Sequence, residues 1–151
     1  MPRRYFEDLQ VGQVWEHGPR TVSRDEVVAF AREFDPQPFH LDEEAALRSP
    51  YRGLIASGWH TAALCQRMVI DGLEGESASL GSPGVDELRW LRPVRPGDTL
   101  WLRVECVETR PSHSKPDRGL ARFRYDLRNQ AGETVMTMTG LALFARRPEA
   151  S

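Results

Sequence analysis

Two hydrophobic rhythms divide this chain. In its first half, apolar residues recur at helical intervals. In "TVSRDEVVAFAREFD" Val27, Phe30, Ala31 and Phe34 share one helical face, and Ser23 with Glu26 has the spacing of a capping box. The pattern predicts an amphipathic helix that stops just before Asp35, because Pro36 and Pro38 donate no backbone hydrogen bond and push Asp35 and Gln37 toward extended conformations. "LDEEAAL" reads as a short helix capped by Asp42. The segment "SGWHTAALCQRMVIDG" differs in kind. Trp59, Ala62, Ala63, Leu64, Cys65, Met68, Val69 and Ile70 point almost all round, so the helix is expected to be covered on several sides, with Ser57 as its N-cap and Asp71-Gly72 as its stop.

After "EGESASLGSPG" the period changes to two, and the rest of the chain reads as strands. Leu100, Leu102, Val104 and Cys106 fall on one face, as do Ala121, Phe123, Tyr125 and Leu127, and then Met136, Met138, Gly140, Ala142 and Phe144. "NQAGE" signals a hairpin turn, "RPGD" a turn before a strand, and "RPSHSKPDRG" a longer polar hairpin loop. A mostly apolar helix needs cover, and an antiparallel sheet with one apolar face can wrap it. The expected architecture is therefore a single α+β domain over residues 1–151, its sheet folded around a central helix.

Composition narrows the partners. A net charge of -2, from 20 basic and 22 acidic residues, gives no footprint for nucleic acid. No apolar run approaches the roughly 18 residues of a membrane span, and "MPRRYFEDLQ" lacks a signal-peptide core, so a cytoplasmic protein is expected. Cys65 and Cys106 sit in apolar patterns and read as core thiols; with no clustered histidine ligands, no metal site is expected. Glycine-rich cofactor fingerprints are absent, so no flavin or nicotinamide is expected either.

The candidate chemistry lies in "FDPQPFH". Asp35 and His40 are five residues apart, a spacing that separates them on a helix or a strand, and they converge only if the backbone between them turns. The two prolines stiffen such a turn. A carboxylate and an imidazole held together can grip a water molecule for general acid and base chemistry. Phe34 and Phe39 flank the pair, and apolar surroundings would raise the Asp35 pKa and hold the imidazole neutral. The same residues also make an ordinary turn, with the histidine satisfying a backbone group. In "GLIASGWHT", Gly58 and Ser57 open the apolar helix, whose free N–H groups suit a carbonyl oxygen acquiring negative charge; a plain cap at a tight helix start is the alternative.

These segments, with "YFEDLQVGQVW", "DPQPFHLDEEAA", "LRWLRPVRPGDTL" and "NQAGETV", resemble the MaoC-like dehydratases, also called the (R)-specific enoyl-CoA hydratase or hydratase 2 group, over nearly the whole chain. The resemblance implies a hot-dog fold, a homodimer or higher oligomer, and an acyl-CoA or enoyl-CoA substrate with no further cofactor. It also implies Asp35 and His40 as the catalytic pair, a Gly58 N–H aimed at the thioester carbonyl, and syn addition of water to a trans-2-enoyl-CoA. The chain departs from the family loop at Phe34, where glycine is usual, at Gln37, where asparagine is usual, and at Ser57, where many members have histidine. Gln37, Arg52, Ile55 and His60 are further candidates for substrate contact. Arg89, Arg92 and Arg95 suit phosphates, while Trp90 and Trp101 are assigned to packing or a subunit interface. Acyl-CoA hydrolysis and non-catalytic acyl-CoA binding are the competing functions, since one fold serves several.

Overall fold

Residues 4–150 are described by the computed structural model; Met1, Pro2, Arg3 and Ser151 lie outside it. The elements are β1 (Val14–Thr21), α1 (Arg24–Phe34), α2 (Pro38–Leu41), α3 (Glu43–Arg48), α4 (Gly58–Gly72), β2 (Gly84–Trp90), β3 (Thr99–Pro111), β4 (Arg118–Arg128) and β5 (Thr134–Ala145). The five strands form one antiparallel sheet in the order β1-β3-β4-β5-β2. Its inner face is the set the alternation marks: Leu100, Leu102, Val104, Cys106, Ala121, Phe123, Tyr125, Leu127, Met136, Met138, Ala142 and Phe144 are all buried. They join Leu64, Cys65, Met68 and Val69 of α4 in one core, so the sheet wraps the helix as expected.

The local signals hold. Ser23 and Glu26 form the capping box of α1 through Glu26 N–H to Ser23 Oγ (3.1 Å) and Ser23 N–H to Glu26 Oε1 (3.0 Å). Asp42 caps α3 by accepting from the Glu44 and Ala45 N–H groups. In the β4–β5 hairpin, Asn129 Oδ1 accepts from the N–H groups of Ala131 and Glu133, and Gly132 supplies the left-handed residue at φ 73°.

Helix α1 ends at Phe34 as expected; Pro38 then occupies the first turn of α2, where its missing N–H costs nothing, and this one-turn helix carries His40. Three expectations need correction. The loop "RPSHSKPDRG" is shorter than its composition suggests, because strand pairing continues through Arg110↔Leu120 and Pro111↔Gly119. Helix α4 is covered by the sheet and by α1 but not all round: Trp59 is 60% exposed, and Ile70 is exposed as well. Finally, β2 shows no clean alternation: it is an edge strand interrupted by a register shift, and almost all of it is exposed, so nothing selects an apolar face in it. The other edge strand, β1, lies where the sequence pattern marked no element. Among the described residues no helix is long and apolar enough to cross a membrane.

Candidate active site

Helix α1 delivers Asp35. The Asp35 N–H closes the last turn on Ala31 O at 2.9 Å, while φ -150° and ψ 68° take the chain out of the helix. Two short backbone bonds then fold the bracket: Gln37 N–H to Asp35 O at 2.8 Å and His40 N–H to Gln37 O at 3.0 Å. The result is the convergence that spacing alone left open. Asp35 Oδ2 and His40 Nε2 are 3.3 Å apart.

His40 is buried, and its Nδ1 lies 2.7 Å from the carbonyl oxygen of Ile55. A carbonyl only accepts, so Nδ1 carries a hydrogen and Nε2 is the nitrogen left to exchange a proton. The Phe39 ring packs edge-on against His40 at 4.6 Å between centroids.

Asp35 is held on both oxygens. Ser57 Oγ donates to Oδ2 at 2.7 Å, and Gln37 Nε2 donates to Oδ1 at 2.7 Å. These contacts reverse the expected electrostatics. The Ser57 hydrogen bond, aided by Gln37 and by His40, outweighs partial burial and holds the Asp35 carboxyl below the usual carboxylate range. The expectation of a raised value fails because Phe34 does not sheathe the pair: it is 65% exposed, and its ring packs on Phe30 instead.

Ser57 occupies the N-cap position of α4, but its side chain makes no capping bond among the described residues. Its hydroxyl donates to Asp35. With no side-chain cap, the leading N–H groups of the helix, including that of Gly58, keep their donor character, reinforced by the helix dipole. Gly58 is required here by close approach, since a Cβ would stand 2.6 Å from the Trp90 indole.

A cavity of about 570 Å³ contains Asp35, Gln37, His40, Ile55 and Gly58 in its wall. Phe39, Tyr51, Thr61, Trp90 and Pro93 complete much of the lining. Trp90, assigned from sequence to packing or an interface, thus faces the cavity, paired edge-on with Trp59 at 5.0 Å. No local spacing links Trp90 to Gly58; only the fold does. Arg92 also reaches the wall, ion-paired to Glu133 at 2.9 Å. Arg95 donates to the Tyr51 carbonyl at 2.6 Å and does not line the cavity, and Arg89 donates to the carbonyl of its neighbour Leu88. Arg52 is exposed and does not line the cavity. His60 does not line it either: its ring faces α1, stacked on Phe30 with 4.7 Å between centroids. Among the described residues no cluster of three or more His, Cys, Asp or Glu side chains could hold a metal ion.

The sheet wrapped on α4, with a carboxylate–imidazole pair beside the start of that helix, defines a hot-dog α+β domain. A Mycobacterium tuberculosis protein with a double hot-dog fold superposes with a TM-score of 0.76 at 23% identity, over 97% of this chain and 46% of that one. The chain belongs to the MaoC like domain family, which its residues 8–121 match. A MaoC-like dehydratase from Rhodospirillum rubrum is 44% identical, with a TM-score of 0.88 over 96% of this chain and 99% of that one. A 3-hydroxybutyryl-CoA dehydratase from Methylorubrum extorquens is 37% identical over 112 residues, 74% of this chain and 69% of that protein.

Proposed function

We propose that the protein is an (R)-specific enoyl-CoA hydratase that reversibly adds water to a trans-2-enoyl-CoA. One observation carries the reading: Asp35 Oδ2 and His40 Nε2 face each other at 3.3 Å in the wall of a cavity that also holds the uncapped start of α4. The dehydratase relatives support the substrate class.

A water gripped between the two side chains loses a proton to the pair as its oxygen bonds to the β-carbon. The double-bond electrons move toward the thioester, and the carbonyl oxygen gains negative charge. The Gly58 N–H and the dipole of α4 receive that charge, a kind of stabilisation typically worth about 10²- to 10³-fold in rate. The α-carbon then takes a proton from the pair on the same face, which makes the addition syn and restores both side chains. Every step is a proton transfer or a C–O bond change, with no net oxidation, so the CoA of the substrate is the only cofactor the chemistry needs. The apolar side chains exposed along α4 and β2, Trp59, Ile70, Val85 and Trp90, support the pairing of two chains.

The test follows the conjugated enoyl thioester by its near-ultraviolet absorbance as crotonyl-CoA and then a longer trans-2-enoyl-CoA is mixed with protein. Absorbance should fall without release of free thiol, and Asp35→Asn should slow it at least about 10²-fold while the fold is retained. Full activity in that variant refutes the pair. Thiol release from acyl-CoA replaces the hydratase with a thioesterase.

A further inference from the structure

Ser57 and Gln37 read as a helix cap and a substrate contact in the sequence, yet both side chains end on the same carboxylate. Ser57 is fully buried at 0% exposure. A hydroxyl has one hydrogen to give, and this one points to Asp35 Oδ2 at 2.7 Å. Gln37 places its amide on the other oxygen at the same distance. The donors come from different elements, the start of α4 and the loop between α1 and α2, so they fix the carboxylate plane from two sides. A carboxylate torsion is otherwise broad. Bonds to an ionised acceptor are the strong class of hydrogen bond, and the buried one is the better protected from water.

We propose that Ser57 and Gln37 are positioning residues that clamp the Asp35 carboxylate. The proposal rests on Asp35 acting in the proton transfers described above. The Ser57 hydroxyl orients the carboxylate toward His40 Nε2, and Ser57 directly precedes Gly58 at the start of α4, whose N–H groups have no side-chain cap among the described residues. A single residue therefore ties the position of the acid–base pair to that of the carbonyl site. Gln37 performs the outer half of the clamp from an exposed position, and its loss is expected to do less.

Two readouts test this. Carbon-13 NMR of the side-chain carboxyls follows the Asp35 titration in the resting protein, without substrate. Ser57→Ala should raise its midpoint, and Gln37→Leu should raise it by a smaller amount. In crotonyl-CoA hydration, kcat should fall about 10- to 100-fold in Ser57→Ala with KM little changed, and the acid limb of the pH profile should move upward. Should Ser57→Ala fail to fold, the exposed Gln37→Leu variant decides. An Asp35 midpoint unmoved in the variants that fold overturns the clamp, as does a moved midpoint with unchanged kcat. A midpoint that moves in a protein whose wild type hydrates no enoyl-CoA supports the clamp and overturns the hydratase reading alone.

Discussion

The indole of Trp90 lies against Gly58 so closely that a Cβ at residue 58 would fall 2.6 Å from Cε2 of the ring. Trp90 ends β2 and Gly58 begins α4, so the contact ties an edge strand to the first turn of the central helix beside the acid–base pair. Gly58→Ala must displace the indole or the helix start. A misplacement of about 1 Å at such a site can cost about 10²-fold, and a loss of that order in kcat/KM is expected for crotonyl-CoA. Adding Trp90→Ala to the same chain should restore part of the rate. A double-mutant cycle measures this coupling, and independent effects of the two changes would show that the contact does not set the geometry.

His60 makes stability depend on pH. It is 6% exposed, and its Nδ1 finds no hydrogen-bond partner among the described residues. Burial pushes its pKa below the ordinary 6.5; the nearby Arg20 adds to that, while Glu26 opposes it. Below about pH 6.5 the unfolded chain takes up the proton first, so stability is full above that value and declines as pH falls toward the folded pKa. The melting temperature of the wild type should therefore drop more between pH 7 and 5 than that of His60→Phe. Parallel declines in the two proteins would refute this contribution.

The two thiols should be silent in the native protein. Cys65 and Cys106 are both buried, and burial pushes the Cys65 thiol up to about 12 and raises Cys106 as well. Thiolate is the reactive form, so a disulfide reagent at pH 8 should modify neither until the chain is unfolded. Reaction of either cysteine at the rate of a free thiol in the native protein would contradict this placement.

Part of this arrangement is legible in short stretches of chain. The capping box of α1, the turns at Asn129 and Asp98, and the inner faces of β3, β4 and β5 depend on neighbours within a few residues or on a simple alternation. The stiff turn between Asp35 and His40 belongs to the same class, because two prolines restrict the five-residue path between them, while the 3.3 Å approach of the two side chains was left open by spacing alone. The edge strands β1 and β2 were not legible in this way, since each is paired on one side only and has little burial to impress on its sequence.

The sequence by itself determined which residues could form the core, where α1 and α4 begin and end, and that Asp35 and His40 share a stiff turn; these follow from local backbone preferences and from the period of the apolar positions. Only the tertiary structure decided what Ser57 does, which way His60 faces, and that Trp90 walls the cavity. Ser57 meets Asp35 across 22 residues of sequence, His60 meets Phe30 on another helix, and Gly58 meets Trp90 from a different strand. A hydroxyl at a helix start can accept a capping bond, donate to a carboxylate, or do both. That this one donates to Asp35 follows from the packing of α1 against α4, which brings the carboxylate within hydrogen-bond reach.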